Sequence, residues 1–204
     1  MSGVVAIRFD KSQMAYEGDR SQRTRPWRAI LGVAVGALLL AALTLGFRAH
    51  YLGWFGESVT DVAAWGADWQ TWLDEQPLEH PALVHLMPKG CLCRFFTGEH
   101  AADLSSRALE LGYHRYQAGD AFLDADLADP LSPAYFPDSP GPMLALTGAD
   151  GQIRYLGPYS DGLRCTSANS LVDDWLPLSR VGRVLQVDAN SCRCAGFASP
   201  VAGS

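Results

Sequence analysis

Leu83-Val84-His85-Leu86-Met87-Pro88-Lys89-Gly90-Cys91-Leu92-Cys93-Arg94-Phe95-Phe96 is the stretch on which the reading of the chain turns. Its apolar run stops at Pro88, which has no N–H to give a sheet ladder. Cys91 and Cys93 follow with one residue between them, and a helical segment begins directly behind. A strand that hands two thiols to the start of a helix is a reactive layout. A helix N-terminus carries about half a positive charge, which favours thiolate over thiol and lowers a cysteine pKa below its usual ~8.5. Arg94 adds positive charge beside the pair.

Outward from this stretch the pattern is regular. Ala82 to Met87 reads as a short apolar strand interrupted by His85, a polar residue for one strand face rather than a ligand. Phe95 to Leu111 reads as a helix that stops at Gly112, and Tyr113 to Gln117 as a strand, so the two strands are expected to run parallel. Upstream, Ser58 is expected to cap a helix reaching about Glu75. Its Val62, Trp65, Trp69, Trp72 and Leu73 fall on one face and read as core. Residues 118–141 are irregular. Their Asp120, Asp124, Asp126 and Asp129 lack the calcium-loop spacing and read as a solvated connection. Pro142 leads into a hairpin centred on Asp150-Gly151. Thr166 or Ser167 is expected to cap a last helix containing Leu171, Val172, Trp175 and Leu176. Val184 to Val187 adds a strand, and Cys192-Arg193-Cys194 lies near the end.

Part of the 48% hydrophobic content is not core. Ala29 to Phe47 carries no charge and is long enough to cross a bilayer. Lys11, Arg20, Arg23, Arg25 and Arg28 precede it, and Arg48 follows it. The positive-inside rule then places the N-terminus in the cytoplasm. The run exceeds the usual apolar length of a cleaved signal peptide, which favours an uncleaved signal anchor. The expected organisation is a cytoplasmic tail (1–28), a transmembrane signal anchor (29–47), a juxtamembrane linker (48–57), a folded domain (58–187) and a cysteine-containing tail (188–204). In a bacterium this is a single-pass inner-membrane protein with its main domain in the periplasm. Gly32 and Gly36 form a weak helix-pairing motif. With a net charge of −6 the chain is not expected to bind nucleic acid.

The order of elements resembles the thioredoxin-like fold: α/β, a central mixed β-sheet flanked by helices. The resemblance covers residues 58–178 and rests on the strand leading to cysteines at a helix start, the parallel strand, and the proline-led hairpin. It implies that Cys91 and Cys93 occupy the active-site position and that Pro142 is a cis-proline beside them. The C-x-C spacing departs from the family's CxxC. The chain is also similar to membrane-anchored bacterial proteins with a thioredoxin-like domain and two C-x-C motifs, a similarity that implies no particular activity.

Three uses of the five cysteines follow. In thiol–disulfide exchange with protein thiols or disulfides, Cys91 and Cys93 act as attacking and resolving thiols. Pro142 shapes the groove, and Cys165, Cys192 and Cys194 are accessory thiols. A disulfide within the C-x-C pair would close a small, strained ring of the readily exchanged kind. In a non-enzymatic module, Cys91, Cys93, Cys165, Cys192 and Cys194 offer soft ligands to copper or zinc, and His100 could join them. In a purely structural arrangement, Cys165 bridges to one of the C-terminal pair. The sequence contains no serine-nucleophile elbow, phosphate loop or zinc-protease motif.

Overall fold

The computed structural model describes residues 26–131, 137–162 and 166–194. Cys165 therefore lies outside the described residues, as does any bridge it forms. The chain divides into two compact units, Met1–Leu43 and Thr44–Ser204. Helix α1 (Pro26–Tyr51) supplies the described part of the first unit and continues into the second. Its segment Trp27–Ala49 is long and apolar enough to cross a membrane, and Ile30, Leu31, Val33 and Leu38 stand exposed along it.

The second unit is mixed α/β. After β1 (Leu52–Trp54) and a 3-10 turn (Phe55–Ser58) come α2 (Val62–Asp74), β2 (Ala82–Met87), α3 (Arg94–Glu110) and β3 (His114–Gly119). There follow β4 (Asp129–Pro130), β5 (Met143–Thr147), β6 (Ile153–Pro158), β7 (Val184–Leu185) and β8 (Asn190–Cys192). Six strands form one sheet in the order β4-β3-β2-β5-β6-β7, and β1 pairs with β8 in a separate two-stranded ribbon. Strand β3 lies parallel to β2 across the α3 connection, and β5 is antiparallel to both β2 and β6.

The central strands are covered on both faces because their side chains alternate between two cores. Val84, Leu86, Met143 and Ala145 face Phe55 and the α2 residues Trp69, Trp72 and Leu73. Leu83, Leu144, Leu146 and Tyr155 face the α3 residues Ala101, Leu104 and Ala108. A third, smaller cluster joins Met87 to Cys91, Cys93, Cys192 and Cys194 at the end of β2. The expected strand over Ala82 to Met87, the helix behind the cysteines, the parallel strand and the Asp150-Gly151 hairpin all form, with end points shifted by up to two residues.

Two local expectations fail. Ser58 does not cap α2. It ends the 3-10 turn, and the Asp61 carboxylate accepts from the backbone N–H groups of Ala63 and Ala64 at 2.9 and 3.0 Å. The last helix is reduced to a 3-10 turn, Ser167–Asn169. Behind that turn the Ser170 hydroxyl accepts from the N–H groups of Val172 and Asp173, a local alternative to helical bonding. Pro177 then removes a donor. Val172 and Leu176 are nevertheless buried, as the apolar spacing required.

Gln70 ties α2 to the hairpin. Its amide donates to the Gly151 carbonyl at 3.1 Å and accepts from the Ile153 N–H at 2.9 Å. Ile153 is buried, so Gln70→Ala leaves that donor without its acceptor. The expected cost is about 1–3 kcal/mol. It should be read as a lower denaturant midpoint with an unchanged slope; an unshifted midpoint would mean that water replaces the amide.

Candidate functional site

The site grows from the end of β2. Pro88 closes the strand, and Gly90 adopts a positive φ of 70°, which a side chain would strain. The Asp120 carboxylate accepts from the Gly90 N–H at 2.6 Å and lies 3.9 Å from the Arg94 guanidinium. The turn carries Cys91 and Cys93 to the start of α3, where Cys93 is the N-cap residue with helical φ and ψ. Their partners arrive from the other end of the domain. Strand β8 pairs antiparallel with β1, Leu52 opposite Cys192. Beyond it, the Cys194 N–H donates to the Pro140 carbonyl at 3.1 Å. Arg193, between the two cysteines, is held by Glu57 at 2.7 Å and by the Ser58 hydroxyl at 3.1 Å.

The two C-x-C motifs are bonded crosswise. Cys91 joins Cys194 with their Cα atoms 4.9 Å apart, and Cys93 joins Cys192 at 6.0 Å. This corrects two expectations. Cys91 and Cys93 do not bond to each other, and neither C-terminal cysteine is bonded to Cys165. The reason is geometric. A bond within C-x-C closes a small strained ring, whereas an extended segment laid along the Cys91–Cys93 turn meets both sulfurs at ordinary spacing. All four residues are buried. The sulfurs of Cys91, Cys93 and Cys194 lie within 4.8 Å of one another. As half-cystines they offer no thiolate to copper or zinc; only a reduced form would.

Pro142 lines a small void with Thr97, Pro158, Tyr159, Ser160 and Cys192, so it does stand beside the bonded cysteines. It is not the cis residue. Among the described residues the cis peptide is His80–Pro81, at the opposite end of β2. The neighbouring Gly141 explains how closely the C-terminal segment approaches: a Cβ there would sit 2.1 Å from the Cys192 carbonyl oxygen. The expected groove beside Pro142 is thus filled by the chain's own residues 190–194. Two larger clefts, of about 580 and 520 Å³, open elsewhere, and none of these four cysteines lines them.

His85 is the polar feature that sequence reading undervalued. Its ring is wholly buried on the α3 side of the sheet. Nδ1 lies 2.7 Å from the Tyr159 hydroxyl and Nε2 lies 2.7 Å from the Ser105 hydroxyl. A neutral ring can donate to one hydroxyl and accept from the other. Phe122 meets His85 edge-on at 6.1 Å and also packs against the cysteine cluster. The signal was available: His85 shares its strand face with Leu83 and Met87, both apolar, so alternation alone placed it inside. Tyr159 and Ser160 are buried. His100 is buried as well, and burial holds its imidazole below the ordinary range, against the pull of Asp173 and Asp103.

Burial pushes the His85 pKa down to about 3, and the charges on His100 and Arg115 add to the effect. Above about pH 6.5 the ring is neutral in folded and unfolded chains alike, so its contribution is fully present. As pH falls from there toward 3, the unfolded chain binds a proton that the folded chain refuses, and stability is lost. The loss is at most about 1.4 kcal/mol per pH unit. His85→Gln should remove this component. Urea unfolding between about pH 7 and pH 4 is expected to show a shallower decline for the variant than for the wild type. Parallel declines would mean that the buried ring accepts a proton after all.

Among known families, the model described as "Domain of unknown function (DUF6436)" matches residues 65–196. No curated protein and no solved structure matches the chain. The matched segment contains both C-x-C motifs together with β2, α3 and the β5–β6 hairpin. Since it spans more than half of the sequence, the chain belongs to the DUF6436 domain family.

Proposed function

We propose that the protein is a membrane-anchored, thioredoxin-like domain that exchanges disulfides with protein partners on the periplasmic side of a bacterial inner membrane. The observation that carries this reading is the crossed pair of disulfides at the start of α3. Two bonds with adjacent sulfurs, one of them ending on a helix N-cap, form an arrangement suited to stepwise exchange. The parallel β2–α3–β3 unit and the antiparallel β5–β6 hairpin support the thioredoxin-like assignment. The basic residues before the apolar helix support a cytoplasmic N-terminus.

Exchange begins at Cys91–Cys194. Cys192 sits within the β8 ladder, whereas Cys194 lies beyond it on a single backbone bond to Pro140. A thiolate of a partner dithiol attacks the Cys194 sulfur, the Cys91–Cys194 bond breaks, and Cys91 leaves as thiolate at the positive end of α3. The partner's second thiol then displaces Cys194. The partner gains one disulfide, and Cys91 and Cys194 hold its two electrons and two protons. In the reverse direction the Cys194 thiolate attacks the partner disulfide, and Cys91 then attacks the Cys194 sulfur, restoring the Cys91–Cys194 bond and releasing the partner's dithiol. A second dithiol opens Cys93–Cys192 in the same way, with Cys93 facing the Arg193 carbonyl at 3.3 Å.

The burial of all four cysteines favours a second reading, in which the bonds are structural clamps. Stepwise reduction separates the two. The full chain is titrated with dithiothreitol, alkylated, and mapped by mass spectrometry while circular dichroism reports the fold. Exchange predicts that Cys91 and Cys194 are labelled before Cys93 and Cys192, with the fold intact. Labelling of all four only on unfolding would sink exchange and leave the clamps.

Stability provides a further test. Each bond taken alone closes a loop of 99 to 103 residues, worth about 4–5 kcal/mol of unfolded-chain entropy. With one bond in place, the other closes only a six-residue ring and adds roughly 2 kcal/mol. The Cys91→Ala/Cys194→Ala chain is therefore expected to lose far less stability than the chain lacking all four cysteines, as read by urea midpoints. Equal losses would show that the bonds are not redundant.

A further inference from the structure

At the outer side of the disulfide ring, Leu92, Phe95 and Phe96 are 48%, 71% and 44% exposed. The turn is already helical here, because the Phe95 N–H donates to the Leu92 carbonyl and the Phe96 N–H to that of Cys93. The i, i+3 and i+4 spacing therefore sets all three on one face. Isolated apolar residues on a surface are ordinary, but a contiguous group of large ones marks a contact. The Phe96 ring meets the Phe47 ring edge-on at 6.2 Å. Phe47 belongs to the apolar stretch Trp27–Ala49, and both rings lie in the second unit.

Chain length gives the same neighbour. Only His50 and Tyr51 separate the apolar stretch from β1. Leu52 in β1 pairs with Cys192, and Cys192 is bonded to Cys93 beside Leu92. Two residues of helix and one strand spacing carry the chain roughly 8 Å, as far as Cys192 of the disulfide ring. The polar layer of a bilayer is on the order of 5–7 Å deep on each side. Charge fits as well. Lys89 and Arg48 are exposed, and the Arg94 guanidinium lies 4.9 Å over the Phe95 ring, so cations fringe the apolar face. Aromatic rings edged by cations suit the boundary between acyl chains and phosphate headgroups.

We propose that Leu92, Phe95 and Phe96 form a lipid-docking face that seats the disulfide ring against the surface of the membrane crossed by Trp27–Ala49. This goes beyond the exchange reading and does not depend on it. The test places the full chain in nanodiscs of phosphatidylcholine and phosphatidylglycerol, with intact mass confirming that the apolar stretch is retained. A benzophenone side chain replaces Phe95 in one sample and Val181 in another. Val181 is exposed and shares a cleft with Pro81, at the far end of β2. Irradiation is expected to give several-fold more phospholipid adduct at position 95. Equal yields, or an adduct at 95 to a second copy of the chain, would overturn the proposal. The unsubstituted chain gives an independent readout: a paramagnetic headgroup lipid should broaden the Leu92 methyl signals and spare those of Val181. Equal broadening of the two residues overturns it too.

Discussion

Two sulfur–sulfur bonds hold the start of α3 against residues from the far end of the chain, and the geometry of the site depends on them. Cys91–Cys194 and Cys93–Cys192 form a six-residue ring whose four cysteines are buried. The segment Asn190–Cys194 could not lie so close to Gly141 if that residue had a side chain. Nor would Arg193 reach Glu57 and Ser58 without β8 being fixed beside β1. The ring therefore does more than cross-link. It sets which backbone lies beside Pro142 and which apolar side chains of α3 are left facing out.

Below the ring, His85 is the one polar side chain of β2. His85 bridges Ser105 on α3 and Tyr159 just after β6, and so links three elements through one neutral imidazole. The same burial that makes these bonds strong makes the ring a poor base. In the exchange we propose, His85 is therefore not the base. The helix terminus and Arg94 supply positive potential, though Arg94 shares its charge with Asp120.

Much of the sheet was legible because its signals are local. The apolar runs of β2 and β5, the Gly112 stop after α3 and the Asp150-Gly151 turn each follow from a few neighbouring residues. The last helix was not, because Ser170 and Pro177 compete with helical bonding in a segment whose apolar spacing still reads as helical. The cysteine pairing was not legible either. It joins residues about a hundred positions apart, and nothing near Cys91 states which distant thiol will face it. The equal spacing of the two C-x-C motifs was the available hint: two matched pairs can bond crosswise without straining either turn. The cis peptide illustrates the same limit, since Pro81 and Pro142 both precede strands and only packing distinguishes them.

The pairing of β1 with β8 bears on the order in which the molecule can be made. Leu52 follows the apolar helix directly, and its strand partner Cys192 lies 140 residues later. Every contact that finishes the site therefore waits for residues 190–194 to leave the ribosome. Until then β1 has no partner strand, and Cys91 and Cys93 face each other with their proper partners still missing. Non-local contacts of this kind form late, after the locally organised sheet. The site is thus the last part of the domain to close, and the nascent chain passes through a stage in which Cys91 and Cys93 lack the segment that later covers them.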